Sequence, residues 1–231
     1  MMRKTNKFSQ AIFILVAICL VVSGCQKRPP DESPNVLILL MDTLRADHLG
    51  YQRYELNTSP NLDAFARENS FLEPFYTVAP WTSPAVASLF TGLYPSSHGV
   101  LGHPDLLDGE TRVEFRMLPE SANTLAEFFR SQGYRTAAVS SNPWVLKEFG
   151  FDQGFEQFVV LPNKAPAEAV NAEAFKYLDS ISKTKRPFFL YVHYMDCHGM
   201  YVPPKPYNEM FLPEKPQDEQ LVLPKNLVPK Y

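Results

Sequence analysis

Residues 79–95 constrain the fold most strongly, because an extended segment turns sharply here and becomes a capped helix. Pro84 suits the first helical position, with Ser83 before it as the N-cap and Gly92 as the left-handed stop. Thr82 is then expected just outside the helix N-terminus, where free backbone N–H groups and the helix dipole favour an anion. The stretch alone leaves two interpretations: Thr82 is a turn residue, or its hydroxyl faces a docked phosphate or sulfate.

A continuous apolar run, Val36–Met41, predicts a parallel strand that is buried on both faces. The run ends at Asp42, which places this carboxylate at the carboxyl edge of the sheet, where open α/β sheets carry their sites. On local grounds Asp42 can also be read as a cap for the following segment. Further strands and helices alternate along the chain: strands at 134–140 and 188–193, and helices at 124–132 and 167–181. This alternation predicts an α/β fold with a mostly parallel sheet.

Polar side chains follow the later strands as well. Asn142 comes after the second strand, where it either shapes the turn before Pro143 or donates to a substrate oxygen. His193 ends the third strand and His198 follows it closely. Histidines are common metal ligands and acid–base groups, although residue type alone slightly favours a polar turn with satisfied imidazoles. His98 invites the same two interpretations, with a packing role favoured over a metal-binding one.

The chain resembles the sulfatases and the wider alkaline phosphatase superfamily over about residues 34–204. The sulfatase nucleophile motif is Cys or Ser, any residue, Pro, any residue, Arg, followed by a helix that ends in Thr-Gly. Pro84 and Thr91-Gly92 match this motif, Thr82 stands at the Cys or Ser position, and Val86 replaces the Arg. Sulfatases convert their Cys or Ser to formylglycine. An unmodified Thr nucleophile is instead found in the phosphodiesterases, nucleotide pyrophosphatases and phosphoethanolamine or glycerophosphate transferases of the same superfamily.

The resemblance also implies a divalent metal, which we expect to be Zn, Mn, Mg or Ca, bound by Asp42 and Thr82. Many sulfatases have a second Asp after the first, and here that position is Thr43. His198 corresponds to the residue that contacts the transferred anion or the leaving oxygen, so it is expected to be catalytic and substrate-binding. His193 is the second candidate for substrate contact, and Asn142 lies where sulfatases carry a Lys-Trp-His anion clamp.

The fold implied by the resemblance is an alkaline-phosphatase-like three-layer sandwich, truncated on its C-terminal side. Residues 35–231 are expected to be the N-terminal part of a sulfatase-like catalytic domain. The full-length form is expected to be an enzyme, and the 231-residue chain alone is expected to be inactive because the family's remaining metal ligands lie further on.

Three functions remain open at this point. The leading hypothesis is a metal-dependent hydrolase or transferase of phosphate or sulfate esters that uses Thr82 as the nucleophile. One alternative is a true sulfatase. The other is a non-catalytic surface lipoprotein, or an inactive fragment, that binds an anionic glycan or lipid headgroup. The expected partner in each case is an anionic ester or ligand: a glycan, a lipid headgroup or a small molecule.

The N-terminus predicts export and lipid anchoring. Residues 1–24 combine a basic start with an apolar stretch that is too short for a comfortable membrane span, as in a signal peptide. Residues 22–25 resemble a bacterial lipobox, which predicts lipidation of Cys25 and a polar tether at 25–34. An uncleaved anchor with an incidental cysteine is the alternative. We expect a lipid-anchored, extracytoplasmic protein of the bacterial cell envelope, and its net charge of −3 gives no case for nucleic acid.

The lipobox hypothesis is tested by Cys25→Ala. Without the thiol no thioether to a diacylglycerol can form, so palmitate labelling of the protein should be lost. The variant should accumulate as an unlipidated species, either uncleaved or released from the membrane. Labelling equal to that of the wild-type protein would refute lipidation at Cys25.

Overall fold

The computed structural model describes residues 33–102, 117–199 and 201–211. The predicted signal peptide, Cys25 and most of the predicted tether lie outside these residues, so those expectations stay predictions. Within the described ranges, no helix combines the length and the apolar character that a membrane crossing needs.

The core of the fold is a sheet of four parallel strands, in the order β1-β4-β2-β3. The strands are β1 (Val36–Met41), β2 (Arg135–Ser140), β3 (Gln157–Val160) and β4 (Phe188–Tyr194). The predicted parallel α/β sheet is confirmed. The prediction that Val36–Met41 is buried on both faces is wrong: β1 stands at one end of the described strand order, and Leu37 and Leu39 on one of its faces are 49% and 51% exposed. Strand β4, the last along the chain, pairs with β1 on one side and β2 on the other, and His193 lies in register with Leu40 and Ser140. The carboxyl ends of β1, β4 and β2 therefore lie side by side.

Helices cover both faces of this sheet. They are α1 (Pro60–Glu68), α2 (Thr82–Thr91), α3 (Pro95–His98), α4 (Leu125–Ser131) and α5 (Ala167–Ile181), with short 3-10 turns at Ala46–His48, Gly50–Gln52 and Lys147–Phe149. On one face, Val86 and Phe90 of α2 pack in a cluster with Tyr191 of β4. On the other, Val170 of α5 packs with Leu190 and Val192. This is the expected three-layer arrangement.

The alternation of side chains along β4 decides which residues face α2. Leu190 and Val192 point to the α5 layer, so Tyr191 and His193 point to the opposite face. The ring of Phe90 meets the ring of Tyr191 edge-on, with 4.9 Å between their centroids. Strand β4 therefore presents one tyrosine and one histidine, two residues apart, to the side on which α2 begins.

The start of α2 differs from the expectation. The helix begins at Thr82 with Trp81 as the N-cap, so Thr82 is the first helical residue and not a residue outside the helix. Pro84 is tolerated as the third residue because the first N–H groups of a helix have no partner within it. Ser83 is fully buried and does not cap the helix, and its hydroxyl makes no hydrogen bond. The predicted stop is confirmed at Gly92, whose φ is 69°.

Candidate functional site

Three side chains from three different elements donate to one oxygen of Asp42. Its Oδ2 accepts hydrogen bonds from Thr82 Oγ1 at 3.0 Å, Asn142 Nδ2 at 2.8 Å and His193 Nε2 at 3.2 Å. The backbone N–H of Asp42 donates to the carbonyl of Tyr194 at 2.9 Å, which extends the β1–β4 pairing by one residue. The predicted site residues at the three strand ends are therefore assembled around a single carboxylate.

These partners keep the Asp42 carboxylate charged although it is only 8% exposed. Burial by itself raises the pKa of the carboxyl group. The hydrogen bonds from His193 and Thr82 act against burial, and the pKa of Asp42 lies below its ordinary value. Asp42 is therefore an anion that its hydrogen-bond donors stabilise. A metal ligand or a proton acceptor must be in this deprotonated form.

Thr82 lies at the first position of α2 and is half-buried. Its hydroxyl donates to Asp42, so its oxygen lone pairs are directed away from the carboxylate. The adjacent helix N-terminus supplies backbone N–H groups and the positive end of the helix dipole. An anionic group at this position would lie next to the Thr82 oxygen.

Asn142 is 1% exposed, and its side chain forms hydrogen bonds both within the turn and to the Asp42 carboxylate. Its Oδ1 accepts from the backbone N–H of Trp144 at 2.8 Å, as expected of a turn residue. Its Nδ2 donates to Asp42 and also to the sulfur of Met195 at 3.1 Å. The predicted donation to a substrate oxygen stays a prediction, because both Nδ2 contacts are to the protein itself.

His193 is fully buried, with both ring nitrogens engaged. Nε2 faces Asp42, and Nδ1 lies 2.9 Å from the hydroxyl of Tyr191. In this structure His193 therefore contacts the carboxylate and not an open surface. Its role in substrate contact stays a prediction.

His198 lies in a loop to which two side chains donate hydrogen bonds. The Thr43 hydroxyl donates to the carbonyl of Cys197 at 2.8 Å, and the Lys164 ammonium donates to the carbonyl of Gly199. The Nδ1 atom of His198 is buried without a hydrogen-bond partner. An unpartnered buried nitrogen in this loop fits contact with a ligand.

Two other residues of acid–base type have structural roles. Asp196 accepts from the backbone N–H of Ala167 at 3.1 Å, at the start of α5. His98 is 2% exposed: its Nε2 lies 2.9 Å from the Ser88 hydroxyl, and its Nδ1 accepts from the backbone N–H of Val100. The expectation that His98 packs near the site is confirmed. Its hydrogen bond with Ser88 joins α3 to α2.

The donors around Asp42 fit part of a metal site. Asp42 Oδ1 accepts no hydrogen bond in the described part of the chain, and the Thr82 hydroxyl lies next to the carboxylate. Residues 33–102, 117–199 and 201–211 contain no group of three or more His, Cys, Asp or Glu able to hold a metal ion. Asp42 and Thr82 could therefore supply two ligands, and the rest would have to come from elsewhere.

Sequence reasoning missed Tyr191 and the two residues that hold the His198 loop. A signal for Tyr191 was present, because residues two apart on a strand share a face and His193 was already a candidate. No local pattern indicates Lys164 or Thr43, since their partners are carbonyl groups 35 and 154 residues away.

Comparison with known proteins identifies the family. The family model described as Sulfatase matches residues 34–223. The chain belongs to the sulfatase family. It is 32% identical over 106 residues to an arylsulfatase of Clostridium perfringens, a match that covers 46% of this chain and 20% of that enzyme. It is 30% identical over 186 residues to human N-sulphoglucosamine sulphohydrolase, covering 79% of this chain and 34% of that enzyme.

A solved enzyme structure has the same fold as this chain. The phosphonate monoester hydrolase of Agrobacterium radiobacter superimposes with a TM-score of 0.62 at 21% identity, covering 78% of this chain and 44% of that one. This supports the alkaline-phosphatase-like fold. The chain spans 20% and 34% of the two sulfatase-family relatives named above, so these 231 residues correspond to part of such an enzyme.

A structural role for His98 predicts a specific pH dependence of stability. Burial lowers the pKa of the His98 imidazole and outweighs its hydrogen bond to the Pro84 carbonyl, which acts in the opposite direction. The buried neutral ring of His98 therefore stabilises the fold fully above the unfolded-state pKa of about 6.5. This stabilisation is lost as the pH falls through the lower folded-state pKa. His98→Gln removes this contribution.

Urea unfolding of both proteins between about pH 8 and about pH 5 measures the effect. The stability advantage of the wild-type protein over His98→Gln should be constant at the alkaline end and should shrink towards the acid end. An advantage that grows as the pH falls would show that the His98 ring is stabilised in its charged form instead.

Proposed function

We propose that the full-length protein hydrolyses or transfers sulfate or phosphate esters, with Thr82 as the nucleophile and a divalent metal held at Asp42 and Thr82. Membership of the sulfatase family supports the reaction class. The observation that carries the finer assignment is the hydrogen bond from Thr82 Oγ1 to Asp42 Oδ2 at the N-terminus of α2. It places a hydroxyl, a proton acceptor and a helix N-terminus at one point.

Thr82 attacks the sulfur or phosphorus atom of the ester. A bond forms from its Oγ1 to that atom, and the bond to the leaving oxygen breaks. The hydroxyl proton points at Asp42 Oδ2, which is the acceptor in position to take it. His198 gives a proton to the departing alcohol oxygen.

The second half of the reaction releases Thr82. Water, or an acceptor alcohol in a transferase, attacks the same sulfur or phosphorus atom and gives its proton to His198. Thr82 leaves as the alcohol with the proton returned from Asp42, so both proton carriers regain their first state.

Members of this superfamily usually use a divalent metal ion. Bound at Asp42 and Thr82, such an ion would lower the pKa of the hydroxyl and neutralise charge on the transferred group. Asn142 and His193 contribute by holding the carboxylate in place, and the α2 N-terminus contributes by attracting the anionic group.

Several substrate classes suit this site. Relatives include an arylsulfatase and a sulphohydrolase of N-sulphoglucosamine, and the same fold occurs in a phosphonate monoester hydrolase. We favour an anionic ester on a glycan, a lipid headgroup or a small molecule. Thr82 favours direct phosphoryl or sulfuryl transfer over formylglycine chemistry, because a threonine lacks the simple CH2 side chain from which the aldehyde is made.

We place the protein outside the cytoplasm, attached to a bacterial membrane through lipid on Cys25. This part of the proposal rests on the signal-peptide pattern of residues 1–24 and the lipobox at 22–25. An anchored enzyme of this kind would act on esters of the cell envelope or of its surroundings.

The nucleophile is tested by Thr82→Ala in the full-length protein. Turnover should fall roughly 10³-fold or more on the preferred member of a panel of aryl sulfate, phosphate monoester and phosphodiester substrates. Thr82→Ser should keep part of the activity because it keeps the attacking oxygen. Mass spectrometry of the wild-type peptide should show unmodified Thr82.

Ser83→Ala is the matched control. It removes a neighbouring hydroxyl that is buried and makes no hydrogen bond, so activity should be unchanged. Turnover by Thr82→Ala at the wild-type rate would contradict the nucleophile assignment. Saturable ligand binding without turnover by the wild-type protein would instead favour a non-catalytic binding protein.

A further inference from the structure

Tyr191 and His193 form a buried pair behind Asp42. Both side chains are fully buried, and the Tyr191 hydroxyl lies 2.9 Å from His193 Nδ1. In the described residues this is the only hydrogen bond of the Tyr191 side chain. A buried hydroxyl group whose proton has no acceptor is costly, so the proton must be directed at Nδ1.

This direction determines which ring nitrogen of His193 carries hydrogen. Because Nδ1 accepts from Tyr191, the ring hydrogen lies on Nε2, which faces Asp42 Oδ2 at 3.2 Å. Burial and the nearby Asp42 charge raise the pKa of the Tyr191 hydroxyl well above its ordinary value, so Tyr191 keeps its proton. The donors therefore run in one direction, from Tyr191 to His193 to Asp42.

The two oxygens of Asp42 have different environments. Oδ2 accepts from Thr82, Asn142 and His193, so its lone pairs are fully used. Oδ1 accepts none from the described chain, and it is not among the buried atoms that lack a partner. The described donors therefore leave the lone pairs of Oδ1 free for a ligand.

We propose that Tyr191 and His193 are positioning residues, which select the Nε2–H form of His193 and hold Asp42 by Oδ2 so that Oδ1 is presented to the bound cation. This inference rests on the proposed function in so far as it names a cation as the ligand of Oδ1. The hydrogen-bond direction itself is independent of that function. In this role both residues act through Asp42.

Substitutions at the two positions separate the hydrogen bonds from the packing. Tyr191→Phe keeps the ring that packs on Phe90 and removes only the hydroxyl. His193 can then also adopt the Nδ1–H form, which turns a bare Nε2 lone pair towards the carboxylate. His193→Gln keeps an N–H at about the position of Nε2, whereas His193→Leu removes every donor.

The experiment uses the full-length protein with 15N-labelled histidine and measures both the ring form of His193 and the affinity for Mn²⁺. In the wild-type protein the NMR signals, assigned by their loss in His193→Gln, should report hydrogen on Nε2 alone. Tyr191→Phe should produce a mixture of forms. Mn²⁺ affinity should fall roughly 10- to 100-fold in Tyr191→Phe and His193→Leu, and much less in His193→Gln.

Tyr177→Phe is the matched control, because it also removes a buried tyrosine hydroxyl, on the α5 side, that has no hydrogen-bond partner. Its Mn²⁺ affinity and His193 signals should equal those of the wild-type protein. Hydrogen on Nδ1 in the wild-type protein would overturn the inference even if Tyr191→Phe failed to fold. Unchanged ring form and affinity in Tyr191→Phe would overturn it too.

The outcomes distinguish this inference from the proposed function. Absence of Mn²⁺ binding by the wild-type protein, with hydrogen on Nε2 alone, would contradict the metal proposal and retain the hydrogen-bond direction. Normal Mn²⁺ binding and turnover in Tyr191→Phe would retain the metal proposal and contradict the positioning role of Tyr191.

Discussion

The convergence of three donors on one oxygen of Asp42 organises the carboxyl edge of the sheet. Thr82 comes from α2, Asn142 from the end of β2 and His193 from the end of β4. A carboxylate this deeply buried is stable as an anion only when it is well supplied with donors. The burial that makes Asp42 costly also makes each hydrogen bond to it stronger than it would be in water.

The parallel sheet makes this convergence possible. Strand β4 lies between β1 and β2, although it is the last of the four along the chain, so residues 42, 142 and 193 become neighbours across gaps of 100 and 51 positions. Helix α2 brings its N-terminus to the same edge because Val86 and Phe90 pack on the face where Tyr191 lies. The same packing that stabilises the core therefore places Thr82 against Asp42.

The strands and the main site residues could be predicted because their signals are local. A continuous apolar run ending in Asp42 predicts a parallel strand and its carboxyl edge, and the pattern from Pro84 to Gly92 predicts a helix that begins close to Thr82. Features that depend on long-range partners could not be predicted. Nothing near Asn142 indicates that its amide turns to Asp42, and a helix that starts at Pro84 begins two residues later than the observed start at Thr82.

The central claim, that hydrogen bonds to Asp42 hold the strand ends together, is tested most directly by a double-mutant cycle between Asp42→Ala and Asn142→Ala. The free energy of unfolding should be measured in urea with metal chelated, so that only the protein's own contacts contribute. We expect a coupling energy of about 1–3 kcal/mol, and additivity within about 0.5 kcal/mol when Asp42→Ala is combined with Thr91→Ala, at the far end of α2. Additive effects of the Asp42 and Asn142 substitutions would contradict the account.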